Sequence, residues 1–128
     1  MLCKISVALA LLAGSAVAAS TTGAYAAGDA KAGANVFKRC AVCHTSDKGG
    51  GDGLGPNLFG VSGRKAASRP GFAYSAPLKK SGLVWNDANL TRWVAAPARV
   101  VPGTKMTFAG LSSKRQQADV VAYLATLK

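Results

Sequence analysis

Acidic residues are scarce in this chain: five Asp and Glu stand against 16 Lys and Arg, a formal net charge of +11 over 128 residues. So basic a chain is expected to meet something acidic, whether nucleic acid, an anionic membrane or an acidic protein face. No paired-carboxylate site for general acid–base work is evident among so few acids. Histidine occurs once, at His44, so the chain cannot offer two imidazoles to any one site. Long apolar runs are missing as well. Ile5 to Ala19 spans 15 residues and is diluted by Gly14 and Ser15, short of the ~20 needed to cross a bilayer. Strand-like alternation and internal repeats are absent. The glycine run at 49–53 lacks the closing Gly-Lys-Ser/Thr of a phosphate cradle. Apolar residues nevertheless make up 49% of the chain, which excludes a disordered basic tail, and the length fits one domain.

The N-terminus reads as an export signal. Lys4 is followed by the apolar stretch Ile5 to Ala13 and then by the small-residue sites Ala16-Val17-Ala18 and Ala24-Tyr25-Ala26. Cleavage after Ala26 is expected, dividing the chain into a signal at 1–26 and a domain at 27–128; the rival reading is an uncleaved anchor. Cleavage removes Lys4 and Cys3 and leaves 15 basic residues against five acidic ones, +10 on 102 residues. Two cysteines remain.

Those two stand in Cys40-Ala41-Val42-Cys43-His44, the C-x-x-C-H spacing of covalent c-type haem attachment. Two thiols one helical turn apart can add to the two vinyl groups of a porphyrin, and the adjacent imidazole can then face the iron. Three other readings compete. A thioredoxin-like dithiol needs the motif to open a helix after a strand, and no strand pattern precedes Cys40. Zinc needs about four N or S ligands, and the mature chain offers two Cys and one His. Chance occurrence is the third, made less attractive by the export signal. A sixth iron ligand follows by elimination, since Met106 is the one methionine left after the signal is lost. Filling core space is its alternative role, but Val101-Pro102-Gly103-Thr104-Lys105-Met106 is a turn-rich loop and not an apolar helix face.

The rest of the chain reads as helices joined by long loops. A helix is expected over 29–40, with Asp29 as N-cap, Val36, Phe37 and Cys40 on one face, and Gly33 permitting a close helix approach. Residues 46–63 read as loop. A short helical turn is expected from Ser75 to Lys80, closed by Gly82. Asn86 caps a further helix carrying Leu90, Trp93 and Val94, ended by Pro97. Ser113 with Gln116 forms the capping box of the last helix, whose apolar stripe is Val120, Val121, Leu124 and Leu127. Loops of this length need a large apolar body to pack on. A haem supplies one, and the domain is expected to fold poorly without it.

In these motifs the chain resembles the soluble class I cytochromes c, over about Gly28 to Leu127. The resemblance rests on Cys40-x-x-Cys43-His44, Gly55-Pro56-Asn57-Leu58, Gly63-Arg64-Lys65, Pro70-Gly71-Phe72-x-Tyr74 and Pro102-Gly103-Thr104-Lys105-Met106. It implies an all-α cytochrome c fold, three to five helices wrapped around one haem c joined through Cys40 and Cys43. It implies a one-electron carrier with His44 and Met106 as axial ligands, and not an enzyme. It further implies that the Pro56 carbonyl accepts the His44 Nδ1–H, that Arg64, Tyr74, Trp85 and Thr104 contact buried propionates, and that Phe108 lies beside the haem. Gly33 would pack against Tyr123 or Leu124. Two departures are Trp93, where many relatives carry tyrosine, and Leu78, where many carry asparagine; both alter hydrogen bonding that tunes the iron.

The implied setting is a soluble, periplasmic monomer, without stable membrane insertion once the signal is gone. Its partners would be acidic faces of redox proteins: a quinol-oxidising cytochrome complex, a terminal oxidase or another periplasmic oxidoreductase. Arg39 precedes the attachment motif and Lys105 precedes Met106, so basic residues would ring the exposed haem edge and steer docking. General solubility is the plainer use of that charge. Nucleic-acid binding is not expected, because no recognised module occurs and export removes the usual targets.

Overall fold

The computed structural model describes residues 27–128. The expected signal at 1–26, with Met1 and Cys3, lies outside the described residues. Four of the five helices among the described residues begin where a short polar side chain satisfies their first backbone N–H groups. The Asp29 carboxylate accepts from the N–H of Lys31 at 2.8 Å and of Ala32 at 3.2 Å and opens α1, Ala30–Phe37. Ser75 accepts from Leu78 N–H at 3.3 Å ahead of α2, Ala76–Lys80, and Gly82 with φ +66° turns the chain away afterwards. Asn86 accepts from Asn89 N–H at 2.8 Å ahead of α3, Asp87–Ala95. Ser113 accepts from Gln116 N–H at 3.3 Å ahead of α5, Lys114–Leu124.

Three boundaries differ from the sequence expectation. The first helix stops at Phe37, and Cys40 lies in the turns that follow. There the bonds shorten to the i→i+3 kind, Arg39 N–H to Val36 O at 3.1 Å and Cys40 N–H to Phe37 O at 2.8 Å, as helix ends commonly tighten. Pro97 ends α3 but also starts α4, Pro97–Val100, because a fixed φ and a missing N–H suit a first helical position. Leu127 falls beyond the end of α5.

The first and last helices cross at Gly33. A Cβ there would stand 1.9 Å from the Asp119 carbonyl oxygen and 2.8 Å from the Tyr123 Cβ, so only a bare backbone permits this approach. Around the crossing Phe37 and Tyr123 stack with ring centroids 5.0 Å apart, and Val120 is fully buried. The nearly buried Asp119 accepts from the Asp29 N–H at 2.7 Å and from Arg115 Nε at 3.0 Å. Leu90, Trp93 and Val94 of α3 join Val121 and Leu124 of α5 in the same core. Among the described residues the only β pairing is a single bridge between Lys65 and Val84.

Long loops complete the molecule and are tied by side chains. Buried Asn57 donates to Thr45 Oγ1 at 2.9 Å and to the Asp47 carbonyl at 3.0 Å. Asp52 accepts from the Asn57 N–H at 2.7 Å and pairs with Arg69 Nε, while Arg69 Nη2 donates to the Gly50 carbonyl at 2.9 Å. One ion pair thus joins the glycine-rich loop to the loop at 66–74. The Asn57 amide first, and then Arg69, hold the Asp52 carboxyl below its ordinary value, against some desolvation. A carboxyl with its folded pKa depressed adds stability above the usual carboxylate range and loses it as pH falls through the folded value. Wild type is therefore expected to exceed Asp52→Asn in denaturant midpoint at pH 7. The gap should hold to about pH 5 and close in stronger acid.

Ala67 stands in the same region with φ +56°, alone among the described non-glycine residues in the left-handed basin. That conformation costs an L-residue about 1–2 kcal/mol, of which the looser unfolded chain of a glycine variant returns about 0.4–1. Ala67→Gly is expected to raise stability by up to about 1 kcal/mol, read as a higher denaturant midpoint at unchanged slope.

Candidate functional site

Between the α1–α5 core and the loops lies a cavity of about 780 Å³, open on one side. Its walls are mainly apolar: Leu78 of α2, Leu90, Trp93 and Val94 of α3, and Val120 and Leu124 of α5. All ten residues singled out from sequence meet on it: Cys40, Cys43, His44, Pro56, Arg64, Tyr74, Trp85, Thr104, Met106 and Phe108. They come from six separate stretches of chain.

The attachment motif is shaped by its own backbone. Cys43 N–H and His44 N–H both donate to the Cys40 carbonyl at 3.0 Å, which winds 40–44 into one turn and sets both half-buried thiols toward the cavity. Burial raises the Cys40 thiol above its ordinary pKa; the Arg39 charge works against this and Cys43 adds to it. The imidazole Nδ1 of His44 lies 2.7 Å from the Pro56 carbonyl. A carbonyl can only accept, so Nδ1 carries the proton. Burial pushes the imidazole's pKa down and outweighs the opposing pull of that bond, so the ring stays neutral with a lone pair on Nε2. A neutral imidazole oriented through its second nitrogen is the usual form of a metal-binding histidine.

Gly55 closes the back of the ring. A Cβ there would fall 2.4 Å from His44 Cε1 and 2.7 Å from Nδ1. This contact was not anticipated from sequence, where Gly55 stood only as part of the Gly55-Pro56-Asn57-Leu58 motif with no role of its own.

The Met106 loop is set by glycines at both ends, Gly103 with φ +85° and Gly110 with φ +108°. Leu111 N–H donates to the Val94 carbonyl at 2.8 Å and anchors the loop to α3, while Lys105 Nζ reaches the Ala73 carbonyl at 3.2 Å. Within the loop Thr104 Oγ1 accepts from Met106 N–H at 3.3 Å. Arg64 donates to the carbonyls of Phe59 at 3.2 Å and Asn57 at 3.4 Å, Tyr74 OH accepts from Arg69 N–H at 3.3 Å, and Trp85 packs on Trp93 with centroids 5.1 Å apart.

The rival chemistries find no support in this arrangement. No group of three or more His, Cys, Asp or Glu suited to a metal ion occurs among the described residues, so a zinc cluster lacks its ligands. The cysteines follow a helix and do not open one after a strand, contrary to the redox dithiol pattern.

The sequence model of the Cytochrome c family matches residues 30–128. The chain belongs to the cytochrome c family. It is 50% identical to cytochrome c2 of Rhodomicrobium vannielii over 103 residues, 80% of this chain and 82% of that one. Cytochrome c-554 of Methylosinus trichosporium is 44% identical over 121 residues, 94% of this chain and 92% of its own length. The solved structure of cytochrome cH from Methylobacterium extorquens superposes with a TM-score of 0.73 at 47% identity, covering 77% of this chain and 99% of that one. As a cytochrome c the chain is a haem-bearing electron carrier and not an enzyme, with Cys40 and Cys43 in the spacing for covalent haem c. The residues present suit that group. A large apolar cavity, two thiols one turn apart, a neutral oriented imidazole and a glycine where a side chain would strike the ring together accept a flat macrocycle.

Proposed function

We propose that this cytochrome c carries single electrons between redox proteins with His44 and Met106 as the two axial ligands of its haem. The observation that supports this most is that Met106 lines the same cavity as His44, although 62 positions separate them in the chain. Bound haem supplies a one-electron iron(II)/iron(III) couple, and a His/Met ligand set favours the reduced form.

The protein's part is positioning. The Pro56 carbonyl holds the His44 ring and strengthens Nε2 as a donor. Met106 offers a soft sulfur from a loop pinned at both ends. Arg64, Tyr74, Trp85 and Thr104 supply charge and hydrogen-bond donors at the cavity wall, which buried propionates require. Phe108, two residues past Met106 on the same cavity, would lie beside the haem.

The partners we propose are acidic faces of redox proteins, whether a quinol-oxidising complex, a terminal oxidase or another oxidoreductase. Only two ion pairs occur among the described residues, Arg69–Asp52 and Arg115–Asp119, so most of the cations are left for outside partners. Val42, 78% exposed, and Leu54, 85% exposed, add an apolar rim to the cavity mouth. Electron-transfer rates to an acidic partner are expected to fall at least about tenfold between low and high salt; a flat profile would remove the steering role. We place the working protein in the periplasm, as the domain 27–128 released by cleavage after Ala26. No helix among the described residues is long and apolar enough to cross a membrane.

Visible spectra of the haem-loaded protein, with and without carbon monoxide, test the ligand set. A low-spin reduced spectrum, a methionine-to-iron(III) charge-transfer band and no response to carbon monoxide are expected. A high-spin spectrum that shifts with carbon monoxide would mean that Met106 does not ligate.

A further inference from the structure

Arg39 and Phe108 meet across the mouth of the cavity. The Arg39 guanidinium carbon stands 5.8 Å from the centroid of the Phe108 ring, within the range of a cation–π contact. Arg39 belongs to the turn that leads into Cys40, and Phe108 lies two residues past Met106. Both line the cavity. The Met106 loop is already anchored to α3 through Leu111 and to the loop at 70–74 through Lys105. The stack gives it a tie to a third element, the attachment turn.

We propose that the Arg39–Phe108 stack is a latch that holds the Met106 loop shut and sets how readily Met106 yields the iron to an outside ligand. The proposal rests on the His44/Met106 reading and names Arg39 as a positioning residue acting through Phe108. The chain has few other means of closing this edge. All five acids are aspartates, at 29, 47, 52, 87 and 119, and both ion pairs lie elsewhere. A planar, weakly hydrated guanidinium over an aromatic face can bind without a carboxylate. Lysine, a compact and strongly hydrated charge, would do so less well.

An outside ligand binds only the fraction of molecules whose loop is open, so its apparent affinity scales with that fraction. An exposed stack of this kind should shift the fraction by about 2- to 5-fold. The test is titration of the oxidised, haem-loaded protein with imidazole, followed by loss of the methionine-to-iron(III) charge-transfer band. Arg39→Gln and Phe108→Leu are each expected to raise imidazole affinity about 2- to 5-fold. The double variant should gain little beyond the larger single effect, because one contact is lost only once, and Arg39→Lys should fall between wild type and Arg39→Gln. Unchanged affinity in Arg39→Gln, or fully additive effects in the double variant, would overturn the latch while leaving the ligand set intact. A wild type without the charge-transfer band would overturn both. Thermal midpoints of the same variants separate the latch from general loosening, which would lower stability without this non-additive pattern.

Discussion

Replacing Met106 with alanine is expected to turn a protein indifferent to carbon monoxide into one that binds it. The reduced spectrum should move from low to high spin, the charge-transfer band should vanish, and the midpoint potential should drop by on the order of a few hundred millivolts. Thioether ligation raises the potential of a His-bound haem, and axial ligands tune haem over roughly 0.8 V. His44 is the only imidazole in the chain, so no second histidine can take the vacated place. Met106 is only half-buried, on a loop anchored through Lys105 and Leu111. The helical fold should therefore survive, which circular dichroism can verify. An unaltered spectrum and potential would assign Met106 to space-filling alone.

The second large effect concerns a residue with no side chain. Gly55→Ala places a methyl 2.4 Å from His44 Cε1, well inside contact distance. Either the ring tilts and strains its 2.7 Å bond to the Pro56 carbonyl, or the loop shifts and disturbs the Asn57 network behind it. Overpacking costs about 1–3 kcal/mol and the weakened hydrogen bond about 1 more. A fall of roughly 10–30 °C in the thermal midpoint of the haem-loaded protein is expected. Gly51→Ala is the control, since a Cβ there meets nothing within 4 Å. Equal midpoints for the two variants would show that the Gly55–His44 contact carries no load.

Local chemistry made the helix starts legible. Asp29, Ser75, Asn86 and Ser113 each precede a helical pattern, and each caps because its side-chain oxygen reaches an N–H two or three residues on. Helix ends were harder. Nothing in Lys38-Arg39-Cys40 marks the shift from α-helix to tighter turns, and Pro97 carries two opposite signals, stopping one helix and starting the next. Of the cavity residues, Cys40, Cys43 and His44 were recoverable because haem attachment constrains spacing over five residues, and Met106 because elimination leaves one methionine. Pro56, Arg64, Tyr74, Trp85, Thr104 and Phe108 were legible only through the family resemblance. What escaped was contact between loops distant in sequence. Asp52 with Arg69 and Arg39 with Phe108 are ordinary charges and rings in the sequence, and only the folded chain pairs them. The positive φ of Ala67 was hidden for a related reason, since alanine gives no sign of a left-handed turn.

The crossing at Gly33 has a kinetic side. The Asp29–Asp119 hydrogen bond beside it joins positions 90 apart, and closing a loop of that size costs about 4 kcal/mol of chain entropy. Helical proteins usually fold quickly because their contacts are local. Here the helices can wind in place within about a microsecond, yet the core they share exists only once the two ends of the domain have found each other. This helical domain therefore carries a search problem more typical of β-sheet topologies, and the meeting of its ends is the step expected to limit its folding.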